Sequence, residues 1–263
     1  MNVNKESLER LYAKYNCRRF VHPDPLEFLY RYDDPADREI AGLIASSLAY
    51  GRVAQILKSV GNILDPIQAP AEFLKLTSPA QIKKEFRFFK HRFSTGSELS
   101  RMLIGIKRVF EQYGSLNECF LAGSKGSHKI VPEGLVFLVQ EIANKSGGDL
   151  PSLLPNPEKC SACKRLHLFL RWMVRRDEVD PGGWSGVPAS ALIVPLDTHM
   201  HRICRALGLT NRKQADLRTA MAITEAFRSV SPDDPVRYDF ALTRLGIRRD
   251  ADFEKFLLDY RSS

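Results

Sequence analysis

Apolar residues recur along this chain at three- and four-residue intervals, the period of helices that bury one face against a core. Asp34-Pro35 reads as an N-cap and first helical residue, followed by Ile40, Leu43, Ile44 and Leu48. Gly51 breaks that run, and Ile56, Leu57, Val60 and Leu64 carry a second one as far as Asp65-Pro66, so two helices meet at Tyr50-Gly51. Leu99, Met102, Leu103, Ile106 and Phe110 mark a further helix, and Leu135, Leu138, Val139 and Ile142 another. Leu166 to Val174 is nearly all apolar and reads as a buried helix. Toward the C-terminus, Leu217, Ala220, Thr224 and Phe227 share a face, Asp234-Pro235 opens a helix carrying Tyr238, Ala241, Leu242 and Leu245, and Phe253, Phe256 and Leu257 close the chain. Neither strand alternation nor a hairpin turn stands out, and the fold is expected to be all-α.

The stretch Val194 to Leu209 is the most informative. Met200, Ile203, Cys204 and Leu207 recur at i, i+3, i+4 and i+7 after Thr198, and Gly208 supplies a stop, which makes Asp197 the N-cap. A capping carboxylate sits in the positive end of the helix dipole, which keeps it ionised. The apolar, proline-containing run Val187 to Pro195 delivers that carboxylate to a fixed point.

The segment Pro195 to Leu209, P-L-D-T-H-M-H-R-I-C-R-A-L-G-L, resembles the P-V-D-T-H-V-x-R-h-x-x-R-L-G-L segment (h, apolar) of the HhH-GPD superfamily of DNA glycosylases, which includes endonuclease III. The resemblance implies an all-α, two-lobed fold with the active site in the cleft between lobes. It gives Asp197 the role of catalytic carboxylate. Ser161-Ala162-Cys163-Lys164-Arg165-Leu166 stands where bifunctional members carry G-x-G-R-K-T-A, which makes Lys164 the candidate nucleophile. The wider pattern K-R-L-H-L-F-L-R-W-M-V-R, then V-D-P-G-x-W and P-L-D-T-H, resembles more closely an uncharacterised bacterial family distantly related to these enzymes. The chain departs from the superfamily in three places. Leu154 to Cys160 lacks the G-x-G whose amides bind a DNA phosphate; Arg175 to Trp184 lengthens the spacing from Lys164 to Asp197, as in archaeal 8-oxoguanine glycosylases; and no cysteine follows Cys204, so the iron-sulfur cluster of many relatives is not expected.

Composition sets the outer limits. A chain of 263 residues can bury a substantial core without disulfides or metal. One two-lobed unit is expected, with residues 37–154 as a central lobe and 1–36 together with 155–263 as the second. A formal net charge of +8 suits a polyanionic partner. Five cysteines in no framework spacing point to a reducing compartment, and no apolar run approaches the roughly 18 residues of a membrane span. A cytoplasmic monomer bound to double-stranded DNA is expected, without cofactor. Cys160-x-x-Cys163 is half of a zinc site, but His199 and His201 point to different sides of one helix, and metal is not expected.

Breaking an N-glycosidic bond builds positive charge on the sugar, which a fixed carboxylate stabilises. A lysine nucleophile would leave a Schiff base and nick the strand; water would leave an abasic site. The start of a helix with Arg165 adjacent disfavours an ammonium at Lys164. For base extrusion, Tyr50 at the helix junction is the candidate gap-stacking residue, and Trp184 and His199 are candidate pocket residues. Arg165, Arg202, Arg205, Arg212 and Lys213 are candidates for backbone contact, and Lys83 to Phe93 interleaves basic and phenylalanine positions in a pattern that suits nucleic acid as well as an ordinary amphipathic segment. Two alternatives stay open: a non-catalytic nucleic-acid binder with the same fold, and an enzyme of free nucleosides or RNA.

Overall fold

The computed structural model describes residues 3–159, 161–247 and 252–262, and these are predominantly helical. The expected helices form as α2 (Pro35–Ser47), α3 (Val53–Leu64), α6 (Gly96–Tyr113), α8 (Ile130–Ser146), α9 (Lys164–Val174), α10 (Thr198–Ala206), α11 (Leu217–Arg228) and α13 (Phe253–Ser262). Asp34 caps α2 by accepting the Ala36 amide at 2.7 Å, with Pro35 in the first turn. Four helices go beyond the periodicity: α1 (Lys5–Tyr15), α4 (Pro70–Leu76), α5 (Pro79–Glu85) and α7 (Leu116–Ser124). In α1 only Ser7, Leu8, Leu11 and Tyr15 are buried, a stripe too narrow to read against so many charges. Asn4 caps it through the Ser7 amide and also donates to the Tyr260 carbonyl, which ties the N-terminal helix to α13.

Two expectations need correction. A small antiparallel hairpin exists, β1 (Lys90–His91) with β2 (Ser94–Thr95); strands of two residues are too short to show alternation. The helix expected from Asp234 begins later, as α12 (Asp239–Ile247), because the Asp234 carboxylate is taken by the Arg175 guanidinium at 2.9 Å instead of capping.

One continuous apolar core runs from Val3 to Tyr260. Within it α6, α7 and α8 pack on one another, α1 packs on α12 and α13, and α2 lies against α9. The last contact positions the site. A Cβ at Gly42 of α2 would meet Leu29, Met173 and Phe169 at 3.3–3.4 Å, so the missing side chain lets α2 and α9 approach closely. Gly51, with φ of 97°, then turns the chain sharply between α2 and α3 beside the start of α9.

Trp184 is corrected from pocket to core. It is 9% exposed, its ring packs on Phe169 and Phe120 at 5.2 and 5.4 Å, and its Nε1 donates to Glu39 at 2.7 Å. Glu39 also accepts the Leu116 and Asn117 amides at 2.9 and 3.1 Å, so one buried carboxylate joins α2, the start of α7 and the 182–187 segment. Burial raises its pKa to about 7 against these three donors. A carboxyl with a raised native pKa holds its proton more tightly folded than unfolded. Its contribution to stability is therefore greatest below the ordinary value near 4.5 and is lost as pH rises through about 7. Melting of the wild type and of Glu39→Gln across pH 5–8 should show the difference between them moving against the wild type as pH rises, by on the order of 3 kcal/mol at most.

Candidate active site

Lys164 is the first residue of α9 and Asp197 is the N-cap of α10, and their side chains meet at the mouth of a cleft of about 600 Å³. Lys164 Nζ lies 3.5 Å from Asp197 Oδ2, with each side chain about a third exposed (30% and 31%). The other carboxylate oxygen, Oδ1, accepts the Met200 amide at 2.9 Å, so the cap holds one oxygen and leaves the other turned to the amine. Met200, Ile203 and Cys204 are buried, which fixes α10 and with it the carboxylate. Cys163, just before Lys164, sits in the left-handed region at φ 41° and gives α9 no side-chain cap. A non-glycine residue there costs on the order of 1 kcal/mol, strain held at the point where the amine emerges.

The wall beside Lys164 comes from the helix junction. Tyr50 lines the cleft, half-buried, with its hydroxyl bonded to the His91 carbonyl at 3.1 Å and to Ser94 Oγ at 2.8 Å. His91 Nε2 donates back to the Tyr50 carbonyl at 3.2 Å and Nδ1 accepts from Ser59 at 2.8 Å; burial lowers its pKa and keeps it neutral. Arg165 lies over the Tyr50 ring at 4.9 Å and donates to the Ser47 and Ser152 carbonyls. Nη1 is thus used inside the protein, where it braces α2, α9 and the 150–153 turn, while the residue also lines the cleft.

Below the Lys164–Asp197 pair the cleft floor is ionic. Arg171, Asp239, Arg244 and Asp24 all line it. Arg171 bonds Asp180 at 3.1 Å and Asp239; Arg175 bonds Asp180, Asp177 at 2.8 Å and Asp234 at 2.9 Å; Arg244 bonds Asp24 at 2.8 Å. Burial pushes the Asp239 carboxyl up, Arg171 opposes it, and the charges of Asp197 and Lys164 reach it from above. The two arginines are held above their ordinary values by these carboxylates in spite of burial. Of these groups, Arg171 carried a sequence signal: a single charge inside the apolar run Leu166 to Val174 has to be paired if it is buried.

The remaining expected residues divide. His199 is exposed and lines the cleft. Arg202, Arg205, Arg212 and Lys213 are exposed but outside the cleft lining, and Arg212 is engaged with Asp216 and Thr219, both at 2.8 Å. His201 is buried and donates to the Arg212 carbonyl at 2.9 Å, while Cys160 lies outside the described residues. In the basic run, Phe86 is core, but Phe88, just before β1, and Phe93, in the turn between β1 and β2, are 83% and 76% exposed. Among the described residues no helix is long and apolar enough to cross a membrane.

No curated protein and no solved structure matches the chain. Residues 24–248 match the model of a family described as "Protein of unknown function (DUF2400)", and with that match spanning most of its length, including Lys164, Asp197 and the ionic floor, the chain belongs to this family.

Proposed function

We propose that this protein is a DNA base-excision enzyme of HhH-GPD type, a glycosylase with abasic-site lyase activity, with residues 37–154 as one lobe and both termini in the other. The observation that carries the reading is the approach of Lys164 Nζ to Asp197 Oδ2 at 3.5 Å in an open cleft, with the carboxylate fixed by its cap. The amine must lose a proton before it attacks, and Asp197 is the acceptor within reach; such contacts tighten when substrate binds. The nitrogen lone pair forms the bond to the sugar C1′, and the base leaves with the glycosidic electron pair and takes up a proton. Ring opening gives an iminium, and loss of a C2′ proton then breaks the C3′–O bond. Asp197 stabilises the positive charge that develops on the sugar. The exposed Phe88 and Phe93, with Arg87 and Arg92 over their rings at 4.3 and 5.7 Å, lie before and within the hairpin whose His91 and Ser94 bond Tyr50, a surface suited to nucleic acid.

The absence of G-x-G from residues 154–160 favours a second reading, a nucleic-acid binder without the reaction. Both readings share one expected result. Duplex DNA binding weakens linearly in log–log with salt, and Arg202→Ala or Arg205→Ala each reduces the slope by about 1. Base release and strand nicking on duplexes carrying 8-oxoguanine, uracil, thymine glycol, alkylated bases or an abasic site separate them. Activity on any of these supports the enzyme; binding with none leaves the binder; no salt-dependent binding contradicts both.

A further inference from the structure

Arg92 and Phe93 form the turn between β1 and β2, and neither side chain is spent on the fold. Arg92 takes φ of 51°, the left-handed region, which strains any residue with a Cβ and recurs where a side chain is held for a ligand. Its side chain lies across Gly51, where a Cβ would stand 2.9 Å from Arg92 Nη1. The guanidinium stands 6.0 Å from the centre of the Tyr50 ring and 5.7 Å from that of Phe93. No carbonyl or carboxylate among the described residues bonds it, in contrast to Arg165 over the same Tyr50 ring, whose Nη1 is bonded twice. Tyr50 and Gly51 line the cleft, so a free cation stands at its rim. Beside that cation the Phe93 ring is 76% exposed, and bonds from Tyr50 to His91 and Ser94 pin the turn to the cleft wall. The segment leading into the hairpin adds Lys83, Lys84, Arg87 and Lys90 against Glu85 alone, with the exposed Phe88 among them.

We propose that this turn is a subsite for an unpaired nucleic-acid strand, in which Arg92 holds a backbone phosphate and the Phe93 ring stacks on the adjoining base. This rests on the nucleic-acid reading of the cleft given above and adds the state of the strand at its rim. A base inside a duplex has both faces covered by its neighbours, so stacking on Phe93 selects one that is unpaired. Every base has a π-face, so the subsite is indifferent to sequence. A nucleotide carries a flat face and an anion one sugar apart, which matches an exposed ring beside a free guanidinium. An anionic bilayer would meet the same charges, but the turn stands at the rim of the cleft that holds Lys164 and Asp197, which a flat surface does not enter.

The test is fluorescence anisotropy of the intact protein with a labelled thymidine homo-oligonucleotide and with an equally long chain of propanediol phosphates, which carries the same charge and no base. The wild type is expected to bind the thymidine strand at least about fivefold more tightly than the baseless chain. Phe93→Leu should lose most of that preference and bind the baseless chain as before. Arg92→Gly, which suits φ of 51°, should lower the salt slope by about 0.7 on both ligands. Both side chains are exposed, so neither change removes core packing. Equal affinities for the two ligands, a Phe93→Leu protein that keeps the full preference, an unchanged slope in Arg92→Gly, or binding of neither ligand overturns the inference. So does a Phe93→Leu effect seen on phosphatidylserine vesicles and absent on the thymidine strand, which assigns the turn to a lipid surface. Duplex binding and covalent capture at an abasic site report the glycosylase reading separately: a protein that shows both and treats the two ligands alike loses the subsite and keeps that reading.

Discussion

Asp197→Asn is expected to slow base release by about 100- to 10,000-fold while leaving the melting temperature essentially unchanged. The two halves of this result come from the two oxygens of one carboxylate. Oδ1 caps α10 through the Met200 amide, and asparagine caps as well as aspartate does, so the helix keeps its first hydrogen bond. Oδ2 faces Lys164 Nζ, and there an amide neither takes a proton nor stabilises a cationic sugar. Asp197→Ala should show both effects, the same loss of rate with about 1 kcal/mol of lost stability. Rate assays beside thermal melts separate the roles; an Asn variant that keeps full activity would reduce Asp197 to a cap.

The second large effect is on stability. Arg175→Met is expected to cost about 3–5 kcal/mol, because it leaves Asp180, which is fully buried, with Arg171 as its one remaining guanidinium and its Oδ2 without a cation, and removes the ion-pair partner of Asp177 and Asp234. For a chain of this length that lowers the melting temperature by roughly 10 °C. Arg175→Lys should recover only part of it, since one ammonium cannot serve three carboxylates held by a planar fork. Calorimetry on both variants is the check; a Met variant as stable as the wild type would show that the buried cluster holds nothing in place beneath the site.

Much of this molecule can be read from periodicity. The faces of α2, α3, α6, α8 and α10 are those whose apolar residues recur at helical spacing, and the Asp197 cap follows from the same pattern with Gly208 as its stop, in the left-handed region at φ 72°. α1 escapes because its buried stripe is narrow and its docking on α12 and α13 is a long-range event. Asp234 shows why boundaries fail: a good capping residue was claimed by a distant arginine. At the site, the Lys164–Asp197 pair is legible because motif and cap coincide, whereas Asp239, Arg244 and Asp24 are distant in sequence and ordinary in type. The bracing by Arg165 Nη1 and the burial of Trp184 escape the sequence for a shared reason. Each side chain has polar N–H groups, and where those groups point depends on carbonyls and carboxylates that only tertiary packing brings near: Ser47 and Ser152 for one, Glu39 for the other.

The most direct measurement is borohydride capture of the intact protein on an abasic-site duplex, followed by peptide mapping of the adduct, with Lys164→Ala run in parallel. A reduced covalent complex mapped to Lys164 and lost in the alanine variant is the predicted result. A complex mapped to another amine, or none from a protein that binds the same duplex, would contradict the assignment of Lys164 as the nucleophile.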